Sequence, residues 1–316
     1  MKSSVMGGVL FLGAVACGSS TSPTVTPGAD GGGTGGDGGA TAADGGTGAD
    51  GATAAGGYNL ENCKTSVAAD APAFYKKYFK CVTVANTADG VSITVNGLPP
   101  HLSPYYAKGD PNYTDFDARG GLYHANPNKL TGATKVINVP TAPASRGLTI
   151  TAGMVDRMAN TNANEYRLGA AGIATDSVLL FNATARPGDN IDDEKFTFDL
   201  YEAHPAPTGE YHYHSVSPGP LEALKSLGLI TAATPGSASL ELYGIMCDGT
   251  VVLGCTELDG SAADGAGLDG QNGHVGDLKD KDGVTHFAGR YHTHVCPAKF
   301  TTHKYMPEIQ FYSVCK

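Results

Sequence analysis

Gly209-Glu210-Tyr211-His212-Tyr213-His214 and Gly289-Arg290-Tyr291-His292-Thr293-His294 are the stretches on which the reading of this chain turns. Each is Gly-x-Tyr followed by His. In a strand, residues i and i+2 point to the same face. Each pair therefore puts two imidazoles on one side and its tyrosines on the other. If the two strands are neighbours, four imidazoles converge. Neutral imidazole suits Zn, Cu, Ni or Fe. A carboxylate or carbonyl on its other nitrogen would fix the tautomer. His101, His204, His274 and His286 are further candidates, and Asp248 and Asp269 are carboxylates that could join them. The competing reading is a strand whose imidazoles hydrogen-bond within a polar core.

Outward from these motifs the pattern is that of strands. Cys81–Ala85 and Val91–Val95 flank Ala88-Asp89-Gly90 and predict a hairpin. Leu240–Ile245 and Thr250–Leu253 predict another around Asp248-Gly249. Lys135–Val139, Leu148–Thr151, Ser177–Phe181, Phe196–Tyr201 and Glu308–Val314 also read as strands. Two short helices are expected, one capped by Asp70 with Pro72 in its first turn, the other from Pro220 to Leu227 before Gly228. Glu257–Gly283 reads as a Gly/Asp loop. The fold class is mostly β with a few short helices, a single β-rich domain.

The first 57 residues differ. Residues 1–17, MKSSVMGGVLFLGAVAC, carry Lys2, an apolar run from Val5 to Ala16 and then Cys17. That is the order of a secretory signal, too short for a membrane span. Ala14-Val15-Ala16-Cys17 resembles a lipobox, whose cleavage would leave Cys17 as a diacylated N-terminus, with Gly18 compatible with export to the outer membrane. Residues 18–57 are Gly, Ala, Thr, Ser, Pro and Asp, a flexible tether with an r.m.s. span of about 35 Å. The formal net charge is −10 over the 316 residues. Such acidity argues against nucleic-acid partners, and the expected membrane contact is through the lipid anchor alone.

Apart from Cys17, six cysteines remain, an even number that in an exported chain predicts three disulfides. Short loops favour Cys63–Cys81, Cys247–Cys255 and Cys296–Cys315. Calcium is the less favoured metal. Asp277–Gly283 lacks the ligand spacing and terminal Glu of a calcium loop, and turn chemistry accounts for Asp-Gly at 259, 264 and 269. There is no GxSxG, HExxH or P-loop.

Several blocks in order resemble the bacterial YHYH-domain family. They are Asn96–His101, Leu168–Ala174, Phe198–Pro205 with Tyr211–His214, Tyr243–Gly249, Leu268–His274 and Gly289–His294. The resemblance covers about residues 90–300 and makes residues 58–316 a YHYH-like domain. The chain departs from the family after Asp248-Gly249, where Thr250-Val251-Val252-Leu253-Gly254 replaces a Phe-Pro-Ile-Tyr-Gly run, and at Thr293, where Tyr is usual. The resemblance groups His101, His204, His212, His214, Asp248, Asp269, His274, His292 and His294 but carries no activity with it. The expectation is an exported, lipid-anchored metal-binding domain taking Zn or Cu through its two His-x-His strands. The alternatives are a metal-dependent hydrolase or oxidoreductase on the same site, with Glu210 or Asp248 as acid/base, and a non-catalytic surface module with a buried histidine network.

Overall fold

Both His-x-His pairs belong to one eight-stranded sheet, with His214 one residue past the end of its strand. The computed structural model describes residues 57–155, 169–185, 189–301, 303–313 and 315. Residues 1–17, read as a signal ending in Cys17, and residues 18–56, read as tether, lie outside the described residues. Residues 50–316 form one compact unit. It is mostly β, with two sheets and few short helices. Among the described residues no helix is long and apolar enough to cross a membrane.

The smaller sheet has the order β1 (Ser66–Val67), β2 (Thr83–Asn86), β3 (Gly90–Val95), β4 (Lys135–Pro140). Val91, Ile93 and Val95 alternate along β3 and are buried, as a period of two requires. Helix α1 (Ala73–Tyr78) buries Phe74, Tyr75 and Tyr78. Its Phe74 ring lies 4.9 Å from that of Phe287, and Lys77 pairs with Asp280 at 2.6 Å and Asp282 at 2.7 Å.

The larger sheet uses β5 (Gly172–Ala174), β6 (Leu179–Leu180), β7 (Ala203–Pro205), β8 (Tyr211–Tyr213), β9 (Leu242–Met246), β10 (Val251–Leu253), β11 (Gly273–Lys279) and β12 (Thr285–His294). Its order is β11-β12-β10-β9-β5-β6-β8-β7. From each edge inward the connectivity is the same. An antiparallel pair at the edge (β7–β8, β11–β12) meets a short strand running parallel to it (β6, β10), which is hairpinned to a central strand (β5, β9).

The register repeats residue by residue. Leu179 pairs with Ile173 and His212, while Val251 pairs with Ile245 and His292. His204 pairs with His212, and His274 with His292. The two halves meet where Ile173 pairs with Ile245. The sheet is thus an internal duplication about a local two-fold axis.

Side chains outside the sheet ladder obey the same correspondence. Asp176 and Asp248 each accept the backbone N–H two residues on, closing the hairpin turns. Asp199 accepts from the Tyr211 hydroxyl at 2.7 Å, and Asp269 from Tyr291 at 2.8 Å. Glu202 and Asn272, two residues before His204 and His274, both adopt positive φ (59° and 57°).

Several sequence expectations are corrected. Cys63–Cys81 forms as expected, but the other two disulfides are Cys247–Cys315 and Cys255–Cys296 in place of Cys247–Cys255 and Cys296–Cys315. Cys247 lies in the turn of the β9–β10 hairpin and Cys255 past its open end, so they cannot reach each other. Leu148–Thr151 forms no strand and leads into a 3-10 turn at Ala152–Val155. Phe196–Tyr201 is a 3-10 turn and bend, because the Asp199 carboxylate takes the Tyr201 N–H. Residues 308–313 bend instead of closing a sheet, and 273–279, read as loop, is β11. Asp70 does not cap α1, whose N-cap is Pro72 with no side-chain hydrogen bond, and the second expected helix forms with an earlier start. Helix α3 (Pro218–Ser226) has Pro218 at its first position and is capped by the Ser217 hydroxyl.

Candidate metal centres

The β7–β8 edge brings together His204, His212 and His214. His204 and His212 are register partners, and His214 lies two residues further along the same face. All three are buried. His212 Nδ1 faces the Glu210 carbonyl at 2.9 Å, and His214 Nδ1 faces the Asn182 carbonyl at 2.5 Å. His204 Nδ1 lies 2.6 Å from Thr197 Oγ1, whose own hydrogen goes to the Glu194 carbonyl. The carbonyls place the proton of His212 and of His214 on Nδ1, which leaves each of their Nε2 atoms a bare lone pair.

Those lone pairs converge. His212 Nε2 and His214 Nε2 are 2.9 Å apart. Two acceptors this close repel unless a positive centre lies between them. Glu194, at the end of α2 (Ile191–Glu194), adds a carboxylate 3.7 Å from His204 Nε2 and 3.9 Å from His214 Nε2. Burial pulls the pKa of His214 down to about 4 and those of His204 and His212 well below the ordinary imidazole value, with neighbouring imidazoles adding to the effect in the latter two. Neutral rings are the ligand form.

The β11–β12 edge repeats the arrangement with His274, His292, His294 and Glu257. His292 Nδ1 faces the Arg290 carbonyl and His294 Nδ1 the Gly254 carbonyl, each at 3.0 Å. Gly254 occupies the place that Asn182 holds in the other half. His294 Nε2 lies 3.3 Å from His274 Nε2, and Glu257 oxygens lie 3.3 Å from His292 Nε2 and 3.4 Å from His294 Nε2. A tetrahedral ion with bonds of about 2.0–2.1 Å holds its ligand atoms about 3.3–3.4 Å apart.

The four strand imidazoles do not form one site. Strands β10, β9, β5 and β6 separate β12 from β8, about 20–25 Å at about 4.7–4.9 Å per step. His101 also stands apart from both groups. It packs on the tyrosine face of β8, stacked on Tyr201 at 3.5 Å, with Nε2 3.4 Å from the Tyr213 hydroxyl. Asp248 holds its turn and the Tyr312 N–H, and Asp269 anchors Tyr291, so both brace the fold around the imidazoles. Glu210 pairs with Lys135, and His286 with Asp280 at 2.8 Å. Sequence reading missed Glu194 and Glu257. Neither sits in a motif: Glu194 ends α2 and Glu257 follows β10, each outside the strands that carry the histidines it faces.

A duplicated four-strand unit, each copy ending in an imidazole triad beside a glutamate, defines a β protein with two histidine sites that could hold metal ions. Residues 123–266 match the family model described as YHYH protein, which supports the resemblance to that family. The matched segment holds the whole first site and Glu257, and ends before His274, His292 and His294. No curated protein and no solved structure matches the chain.

Proposed function

We propose that the protein is a metal-binding module that takes two transition-metal ions, one at each edge of the large sheet. The observation that carries this reading is the confrontation of lone pairs. Backbone carbonyls claim the Nδ1 protons of His212, His214, His292 and His294, so the converging Nε2 atoms have only acceptors to offer one another. A metal-free histidine network would instead place donors opposite acceptors. Zn and Cu fit an imidazole-rich set with one carboxylate. Residues 1–17 support export and a lipid anchor at Cys17 in the outer membrane as the setting, which palmitate labelling of the protein and of Cys17→Ser would test.

The metal reading is tested by elemental analysis of purified, oxidised protein. Two ions per chain are expected, with one lost in His212→Ala and the other in His292→Ala. A chain that takes up no metal, or that loses both ions in a single variant, contradicts it.

A further inference from the structure

The two triads share one ancestry but not one environment. We infer that they have divided their labour: the β11–β12 centre is an exchangeable site open to water or a small anion, and the β7–β8 centre holds its ion as a fixed part of the fold. The inference rests on the metal-binding reading above.

The outer edges differ first. The His204 side chain is 3% exposed, and its counterpart His274 is 36% exposed. Beyond β7 lies a covering segment. Asn126 and Asn128 both donate to the Pro205 carbonyl at 3.1 Å, and Asn126 Nδ2 comes within 3.4 Å of His204 Nδ1. Thr131 continues the cover through its bonds to Gly209 and Thr208. On β11, Val275 is exposed. Gly276, on the same face as His274, presents no side chain where a Cβ would meet the His292 ring at 3.3 Å. One edge is closed by side chains, and the other is left open above its imidazoles.

A cavity of about 20 Å³ adjoins His294, lined by Gln271, Asn272 and Thr301 among others. Its size admits one water molecule. Gln271 Nε2 and Thr301 Oγ1 are buried without a protein hydrogen-bond partner. A polar pocket of this size beside a ligand imidazole is where a small molecule reaching the centre would be received.

The test loads the purified full-length protein with Zn²⁺ and challenges it with excess EDTA at neutral pH, following retained metal over time. One ion should leave early and the other persist, with rates roughly 100-fold apart, the scale on which ligand support tunes metal sites. His274→Ala should abolish the early release and keep the slow ion. His204→Ala should abolish the slow ion and lower the melting temperature. If His204→Ala does not fold, the His274→Ala time course still assigns the rapid ion. Two ions leaving at one rate, or a slow ion lost in His274→Ala, would overturn the division of labour while leaving metal binding intact. No uptake of Zn²⁺ would overturn both.

Discussion

Ile173 of β5 and Ile245 of β9 pair directly across the centre of the large sheet, and each is the other's counterpart in the duplicated unit. The local two-fold axis passes through this pair. It explains why the two histidine sites lie at opposite edges of one row. The row runs His204, His212, Leu179, Ile173, Ile245, Val251, His292, His274, all register partners and therefore all on one face.

The axis demands close backbone approach. A Cβ on Gly172 would lie 2.6 Å from the Ile245 oxygen, and one on Gly244 would lie 2.2 Å from the Ile173 oxygen. Gly172→Ala and Gly244→Ala should each cost about 2–3 kcal/mol by forcing the central strands apart. Gly153→Ala, where nothing lies within 4 Å and φ is ordinary, is the control and should stay within about 0.5 kcal/mol. Urea midpoints measure all three. A cost at Gly172 and Gly244 no larger than the control's would show that the central strands part freely.

The disulfides tie the C-terminal segment to the second half. Cys247–Cys315 closes a separation of 68 residues, Cys255–Cys296 one of 41 and Cys63–Cys81 one of 18. In the chain-entropy account, breaking the longest costs about 4 kcal/mol and the shortest about 3 kcal/mol. Peptide mapping without reduction should recover these three pairs. Replacing both cysteines of one bridge with serine, bridge by bridge, should rank the losses in that order. A peptide joining Cys247 to Cys255 would contradict the pairing.

The fold class and the strand placement of both histidine pairs were legible because alternation and turn residues are local signals. The duplication was also written in the chain but spread thinly. Gly-Ile-x-x-Asp occurs at Gly172 and at Gly244, Asp is followed five residues on by His at Asp199 and at Asp269, and Gly-x-Tyr-His-x-His occurs at Gly209 and at Gly289. Read together, these would have predicted two sites in place of one converging set. Glu194 and Glu257 were not legible, since residues outside the histidine strands reach a site through tertiary geometry alone. Loop length found Cys63–Cys81 but not the other two disulfides for the same reason: it favoured neighbours in sequence, whereas strand order decides which sulfurs meet.

Asp176 provides a pH-dependent test on the tyrosine face. Burial raises its carboxyl from 3.8 to about 7, partly offset by hydrogen bonds from the Tyr213 hydroxyl and the Val178 N–H. Between those values the folded chain holds a proton that the unfolded chain releases. The stability from this group is therefore full below about pH 4 and lost as pH rises through about 7. Asp176→Asn does not titrate. Relative to the wild type, the variant should gain about 2–3 kcal/mol between about pH 5 and pH 8. Denaturant titrations in excess chelator keep metal binding out of the comparison. A stability difference that is flat with pH would show that Asp176 is ionised throughout.

His101 predicts the opposite sign on the acid side. Burial lowers its pKa from 6.5 to about 3, and the Nδ1 bond to the Leu102 carbonyl only partly compensates. The folded chain keeps this ring neutral against Tyr201, while the unfolded chain protonates it below about 6.5. Stability is therefore present above that value and lost as pH falls from it toward about 3. His101→Phe keeps an aromatic ring in the stack, removes the titration and gives up the hydrogen bond. It should be less stable than the wild type by about 1 kcal/mol at about pH 7.5. At about pH 4.5 it should have recovered about 2–3 kcal/mol relative to the wild type, reversing the order. Chemical denaturation at the two pH values, again with chelator present, measures the crossing. A variant that stays below the wild type by the same margin at both would mean that the buried ring accepts its proton without unfolding.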